Sequence, residues 1–252
     1  MRAAMACFAQ ATPASEVRQL PGVTIANAAV EIPVFNAAFL SAPVAEDAGL
    51  LDRCIATGKV YFAARRLPWS FWLCQDLVGV KLLPRVDAAF ARRGMQPGAE
   101  CPGMFARSLA PPARRLPSLD IRPVNGAETR LAFCHITSVC FNIPFEVSLA
   151  IYGSQKTWAT GFTAYVGYLN GEPVSTAATL FAGGAIGLYS VATLPDWRGR
   201  GAGEAMTLHA LHQARVTHDA DRFVLQTTPF GWSMYHRMGF RQVTTITVYV
   251  AA

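Results

Sequence analysis

Charge is scarce in this chain. Asp, Glu, Lys and Arg make up 15% of its 252 residues, against about 25% in an average globular domain. With 52% hydrophobic residues, that composition excludes an intrinsically disordered protein, which needs low hydropathy and high charge. No long run of one sign is present either. The net charge is +6, yet the arginines fall in separated pairs, Arg65–Arg66, Arg92–Arg93 and Arg114–Arg115. A nucleic-acid partner calls for a basic stripe or cluster, so none is expected. Cysteine motifs are also missing. Cys7, Cys54, Cys74, Cys101, Cys134 and Cys140 include no C-x-x-C and no zinc-finger spacing with His. Reduced thiols in a cytoplasmic protein are the expectation. His209 and His212 lie three residues apart without an evident third ligand, so no metal is expected.

A membrane span is tested by residues 173 to 195, PVSTAATLFAGGAIGLYSVATLP, which carry no charge and could cross a bilayer by length. Gly183–Gly184 in the middle is a hairpin signal. The flanks are rich in Thr, Val, Ile and Tyr, which favour strands. Two strands with a tight turn are therefore expected, and no membrane partner. The first residues, MRAAMACFAQA, have one Arg and a short apolar stretch. They are too weakly hydrophobic for a secretory leader and read as a loose tail.

The seam of the chain lies in APPARRLPSLDIRPV, residues 110 to 124, where prolines and charges break any periodicity. Two domains are expected, 1–112 and 119–252. In the second, a strand over 119–124 precedes a helix over 126–141 and a shorter one after Pro144. Asn170–Gly171 and Gly183–Gly184 then divide an apolar stretch into three antiparallel strands. A helix over 201–217, a strand at RFVLQTT, a short helix ending at Gly239 and a last strand complete it. The first domain is harder to read. EIPVFNAAFL is expected as a strand leading into a helix, EDAGLLDRCIATG as a helix ended by Gly58, and VYFAARRLPWSFWLC as a strand followed by a turn. LLPRVDAAFARRGM reads as a helix ended by Gly94, and CPGMFARSL as a strand. This order echoes the end of the chain, so a duplication and two unrelated α/β pieces both stand as readings.

The informative stretch is TLPDWRGRGAGEAM, residues 193 to 206. A glycine-rich loop leaves a strand and opens a helix. A helix start exposes unpaired N–H groups and the positive end of the dipole, and so attracts phosphate. Glycine permits close approach and positive φ. Arg198 and Arg200 add charge and donors. No Lys-Ser or Lys-Thr follows the last glycine, which excludes a P-loop. Gly199, Gly201 and Gly203 do not have dinucleotide spacing.

Arg198-Gly199-Arg200-Gly201-Ala202-Gly203 resembles the pyrophosphate loop, (R/Q)-x-x-G-x-(G/A), of the GCN5-related N-acetyltransferases, and MYHRMGF, residues 234 to 240, resembles their late Tyr-x-x-x-Gly-Phe segment. The resemblance covers roughly residues 119 to 250. It extends loosely to the first half, which resembles the added domain of two-domain bacterial members and can be viewed as a degenerate copy. The fold it implies is α/β: a mixed, mostly antiparallel twisted sheet flanked by helices, with a smaller N-terminal α/β domain. It implies acetyl-CoA as donor co-substrate, its pyrophosphate on residues 198–203 and its pantetheine arm beside Val191, Ala192 and Thr193. The Val191 N–H would face the developing oxyanion. Tyr235 would protonate the leaving thiolate. The acceptor would be a primary amine of a small molecule or peptide, attacking directly in a ternary complex. A catalytically silent acyl-CoA-binding or regulatory module is the competing expectation, and a homodimer is an open one. No general base is identified; Glu146 is a candidate, while Asp196 and Glu172 read as turn residues. Trp69, Phe71 and Trp72 would shape either an acceptor pocket or a packing interface.

Overall fold

One sheet of eleven strands runs through the whole chain. The computed structural model describes residues 1–252. In order, α1 (Arg2–Phe8) precedes β1 (Glu16–Leu20), β2 (Val23–Asn27) and β3 (Asn36–Leu40). Next come α2 (Ala48–Ala63), β4 (Ser70–Cys74), α3 (Val86–Ala91) and β5 (Met95–Ala106). The second half holds β6 (Asp120–Pro123), α4 (Ala127–Phe141), α5 (Phe145–Tyr152), α6 (Gln155–Trp158), β7 (Thr163–Leu169), β8 (Glu172–Ala182) and β9 (Ala185–Thr193). It ends with α7 (Ala202–His218), β10 (Phe223–Gln226), α8 (Pro229–Arg237) and β11 (Arg241–Ala251).

The strand order is β1-β2-β3-β4-β11-β5-β10-β9-β8-β7-β6. The two edges follow a similar plan: three antiparallel strands (β1–β3) from one edge and four (β6–β9) from the other, then a parallel neighbour, then a strand from the other half. β3 pairs with β4 in parallel and β9 with β10 in parallel. Parallel neighbours need a crossover, supplied by α2 in one case and α7 in the other. The halves exchange their last strands. β5 lies between β11 and β10, and β11 lies between β4 and β5. The segments 1–112 and 119–252 thus share one sheet.

Patterning explains most elements. α7 buries Ala202, Met206, Ala210, Leu211 and Ala214, the i, i+4, i+8 stripe of a half-buried helix. The Gly183–Gly184 turn joins β8 to β9 with both glycines at positive φ, as a tight hairpin requires. The uncharged run at 173–195 is therefore sheet, and no helix is long and apolar enough to cross a membrane. In the first half, Phe62, Phe71 and Phe90 are fully buried. Each contributes about 2 kcal/mol by the area rule.

Four expectations fail. The tail at MRAAMACFAQA is a helix, α1, that buries Ala4, Cys7 and Phe8. Phe8 meets Phe35, Tyr152 and Phe162 edge-on, with ring centroids 5.7, 5.4 and 5.3 Å away, so α1 ties the two halves together. Gly58 does not end its helix. A Cβ there would sit 2.8 Å from the Trp69 ring, so the glycine permits close approach and α2 runs on to Ala63. VYFA consequently belongs to α2, and the strand begins only at Ser70. EIPVFNAAFL holds a short 3-10 turn and then β3, with no helix in it. The hairpin β1–β2, absent from the sequence expectations, turns at Pro21–Gly22 and pairs Glu16 with Asn27 through Leu20 with Val23.

Candidate active site

The site starts from a parting of strands. β9 and β10 pair at Ile186–Phe223, Gly187–Val224 and Leu188–Leu225. β9 then continues to Thr193 without β10, which stays paired with β5 up to its last residue, Gln226. Backbone groups of residues 189–193 are left facing the wedge. A bulge sharpens it: the β8–β9 register shifts between Thr176 and Ala178, and Ser190 adopts φ +49°. An extra residue on one strand is left out of the ladder. β8 hydroxyls hold the far side. Thr176 Oγ1 donates to the Ser190 carbonyl at 2.8 Å and Ser175 Oγ to the Ala192 carbonyl at 2.7 Å.

The glycine loop closes one end of the wedge. A 3-10 turn, Pro195–Trp197, leads into Arg198, whose Nε donates to the Thr193 carbonyl at 2.9 Å. Gly201 is the N-cap of α7 at φ +91°, with no side chain capping the first turn. The N–H groups that begin α7 are therefore available to an anion. A Cβ on Gly201 would lie 3.1 Å from Leu116 and 3.2 Å from Pro117, so the seam of the chain packs directly on the loop.

A cleft of about 730 Å³ joins these parts. The structure brings Val191, Ala192, Thr193, Arg198, Gly199, Gly201, Ala202, Gly203 and Tyr235 to its wall. Arg200 is not on that wall; its guanidinium lies 5.0 Å from the Trp197 ring centroid. Tyr235, on α8, is 7% exposed. Burial pushes its phenol well above the ordinary value, because a phenolate would lose its hydration. Thr207 draws it partly back from alongside, although the Thr207 hydroxyl closes no well-formed hydrogen bond. The phenol is thus a held proton at neutral pH.

Tyr189 stands where the strands part. Its hydroxyl accepts from the Met1 amine at 3.1 Å, and burial raises its pKa to about 12. The end of α4 supplies Cys140 and Phe141 to the cleft, and α8 supplies Phe230 and Met234. Sequence reasoning missed these, because an apolar helix end gives no sign of which cavity it reaches. Burial raises the Cys140 thiol, offset in part by Arg198, so it remains a thiol. Arg114 also reaches the wall; its Arg-Arg pair in a proline-rich seam reads as a linker.

Other candidates lie elsewhere. Glu146 is exposed in the first turn of α5 and Glu172 is exposed at the start of β8. Neither lines the cleft, nor does Asp196; Glu204 is the sole carboxylate there. His209 packs against Tyr165 with centroids 4.8 Å apart. Trp69 stacks on Phe62 at 5.3 Å and Phe71 is fully buried in the first half. Trp72 packs near Phe39 at 6.5 Å. These aromatics pack rather than line the cleft.

The matching junction of the first half, between β3 and α2, is built differently. β3 ends at Leu40, one residue beyond its last parallel pair at Phe39. Its helix is capped by Asp47, which accepts from the Leu50 N–H at 2.8 Å. Glu46 accepts from the Lys81 N–H at 3.2 Å. Two carboxylates there repel an anion, and no strand extension opens a wedge.

Comparison with known proteins agrees with this geometry. Residues 130–240 match the model of the acetyltransferase (GNAT) family. No curated protein matches the chain. Among solved structures, a GCN5-related N-acetyltransferase from Kribbella flavida is similar at TM-score 0.74 and 20% identity, over 99% of this chain and 94% of that one. A tandem GNAT protein from the clavulanic acid biosynthesis pathway is similar at TM-score 0.61 and 12% identity, over 91% and 78%. A GCN5-related N-acetyltransferase from Sphaerobacter thermophilus is similar at TM-score 0.58 and 15% identity, over 91% and 76%. At these identities the likeness concerns the fold.

Proposed function

We propose that this chain, whose residues 130–240 match the acetyltransferase (GNAT) family, transfers an acetyl group from acetyl-CoA to a primary amine of a small molecule or peptide. The observation that carries the reading is one cleft in which a parted strand, an uncapped helix start and a buried phenol meet. The glycine loop and Arg198 suit a pyrophosphate. The open edge of residues 191–193 suits the amides of a pantetheine arm.

The amine nitrogen attacks the thioester carbonyl within the ternary complex and forms the C–N bond. The Val191 N–H is the proposed donor to the oxygen that gains charge. As the C–S bond breaks, Tyr235 gives its proton to the departing sulfur and regains one from solvent. The amine's own excess proton leaves to water; the one carboxylate lining the cleft, Glu204, belongs to the first turn of α7 at the glycine loop. All six cysteines are free thiols, which suits a reducing compartment such as the cytoplasm.

Thiol release from acetyl-CoA, followed over a panel of primary amines, tests the reading. Amine-dependent release with an equal yield of N-acetyl product is expected. Tight acetyl-CoA binding with no release above the hydrolytic background for any amine would favour a silent binding module.

A further inference from the structure

The seam between the halves does more than connect them. Arg114 Nη1 donates to the Gly199 carbonyl at 3.1 Å. Its other nitrogen, Nη2, would stand 3.7 Å from a Cβ on Gly201. Arg114 therefore lies over the loop that opens α7. A second hollow, of about 250 Å³, adjoins it and is lined by Pro111, Ala113, Arg114, Glu204 and Arg237. Arg114, Glu204 and Arg237 line both this hollow and the main cleft, so the two are continuous.

The charges in the hollow are unbalanced. Arg114 and Arg237 are exposed, and neither forms a salt bridge with any carboxylate, Glu204 included. Elsewhere Arg18, Arg65, Arg93, Arg107 and Arg122 are paired with acids. Two unpaired guanidinium groups from different elements, converging beside an anion cradle, form a place for a second phosphate. Guanidinium forks match phosphate oxygens in geometry as well as charge.

We propose that Arg114 and Arg237 form a subsite for the 3′-phosphate of the donor nucleotide, so that the linker between the halves is part of the donor site. This rests on the reading of the cleft as a CoA site. It explains why residues 114–117 pack on the loop instead of passing clear of it. It also gives the first half of the chain a role in binding: through the linker it positions a charge at the ligand.

The test compares CoA with 3′-dephospho-CoA, by calorimetric titration of the full chain and of its Arg114→Ala and Arg237→Ala variants. Both residues are exposed, so the variants should fold, and melting curves check this. The natural chain should prefer CoA by about tenfold to a hundredfold, the range for losing one or two charge-assisted hydrogen bonds. Each variant should lose most of that preference by binding CoA more weakly, with 3′-dephospho-CoA nearly unchanged. Equal affinity for the two nucleotides in the natural chain would overturn the subsite and leave the donor reading standing. So would variants that lose both nucleotides alike, since Arg114 would then only brace Gly199. Binding of neither nucleotide would overturn the donor reading and this one with it.

Discussion

Leu188 of β9 pairs with Leu225 of β10, and the next residue on each strand has no partner on the other. That parting decides where the chemistry can happen. A parallel pair that stayed zipped would cover its backbone groups, as β3 and β4 nearly do. Here residues 189–193 keep an open edge, the glycine loop sits at its end, and Tyr235 faces the gap.

The loop's role can be separated from its folding. Gly199 has φ +75° and open space where a Cβ would go. Asp tolerates this backbone region better than most residues. Gly199→Asp should keep the melting temperature within a few degrees while weakening acetyl-CoA at least about tenfold, by placing a carboxylate beside the pyrophosphate. Unchanged affinity would remove the loop from the donor site.

Tyr235 makes a kinetic prediction. Tyr235→Phe should lower kcat by about 10²–10⁴, the usual range for a general acid, with the acetyl-CoA affinity within about twofold. A variant that turns over normally when chemistry limits the rate would take the phenol out of the reaction.

The pH profile follows from the direction of the Tyr235 shift. Burial raises its pKa above the ordinary value near 10, so the proton-donating form persists throughout the neutral and mildly alkaline range. The rate should rise with pH as the acceptor amine loses its proton, then level off, with no descending limb below about pH 10. A fall between pH 7 and 10 that Tyr235→Phe abolishes would contradict this.

Much of this was legible in the residues, unevenly. In the second half, the Asn170–Gly171 and Gly183–Gly184 turns, the helical stripe after Gly201 and the cap at Gly239 are local signals, and local structure follows them. The first half hides its plan, because its decisive facts are contacts. Gly58 looks like a helix end until Trp69 is placed against it, and Phe8 looks like part of a tail until Phe35 and Phe162 surround it. The exchange of β5 and β11 has no local signature. For the site, RGRGAG pointed to its own neighbourhood, whereas Phe141, Phe230 and Arg114 come to the cleft through tertiary packing alone.

The first half carries a stability prediction. Glu16 accepts from Tyr61 at 2.5 Å and from Arg18 and Arg65 at 2.6 and 2.8 Å. The Tyr61 hydrogen bond foremost, then Arg18, lowers its carboxyl from 4.5 to about 2. A depressed folded-state pKa stabilises fully above the unfolded value and is lost as pH falls through the folded one. The contribution should therefore be intact at pH 6 and decline from about pH 4.5 toward 2. Glu16→Gln should melt lower than the natural chain at pH 6, and the gap should narrow by pH 3. A gap that does not change with pH would show that the ion network contributes nothing.

The most direct measurement is calorimetric titration of the full chain with acetyl-CoA, with NADH and ATP as controls. The account predicts one site per chain at micromolar affinity, worth about −8 kcal/mol, and no comparable binding of either control. One site is expected because the β3–α2 junction presents Glu46 and Asp47 where the β9–α7 junction presents glycines. No binding, binding shared equally with NADH or ATP, or two equivalent sites would contradict it.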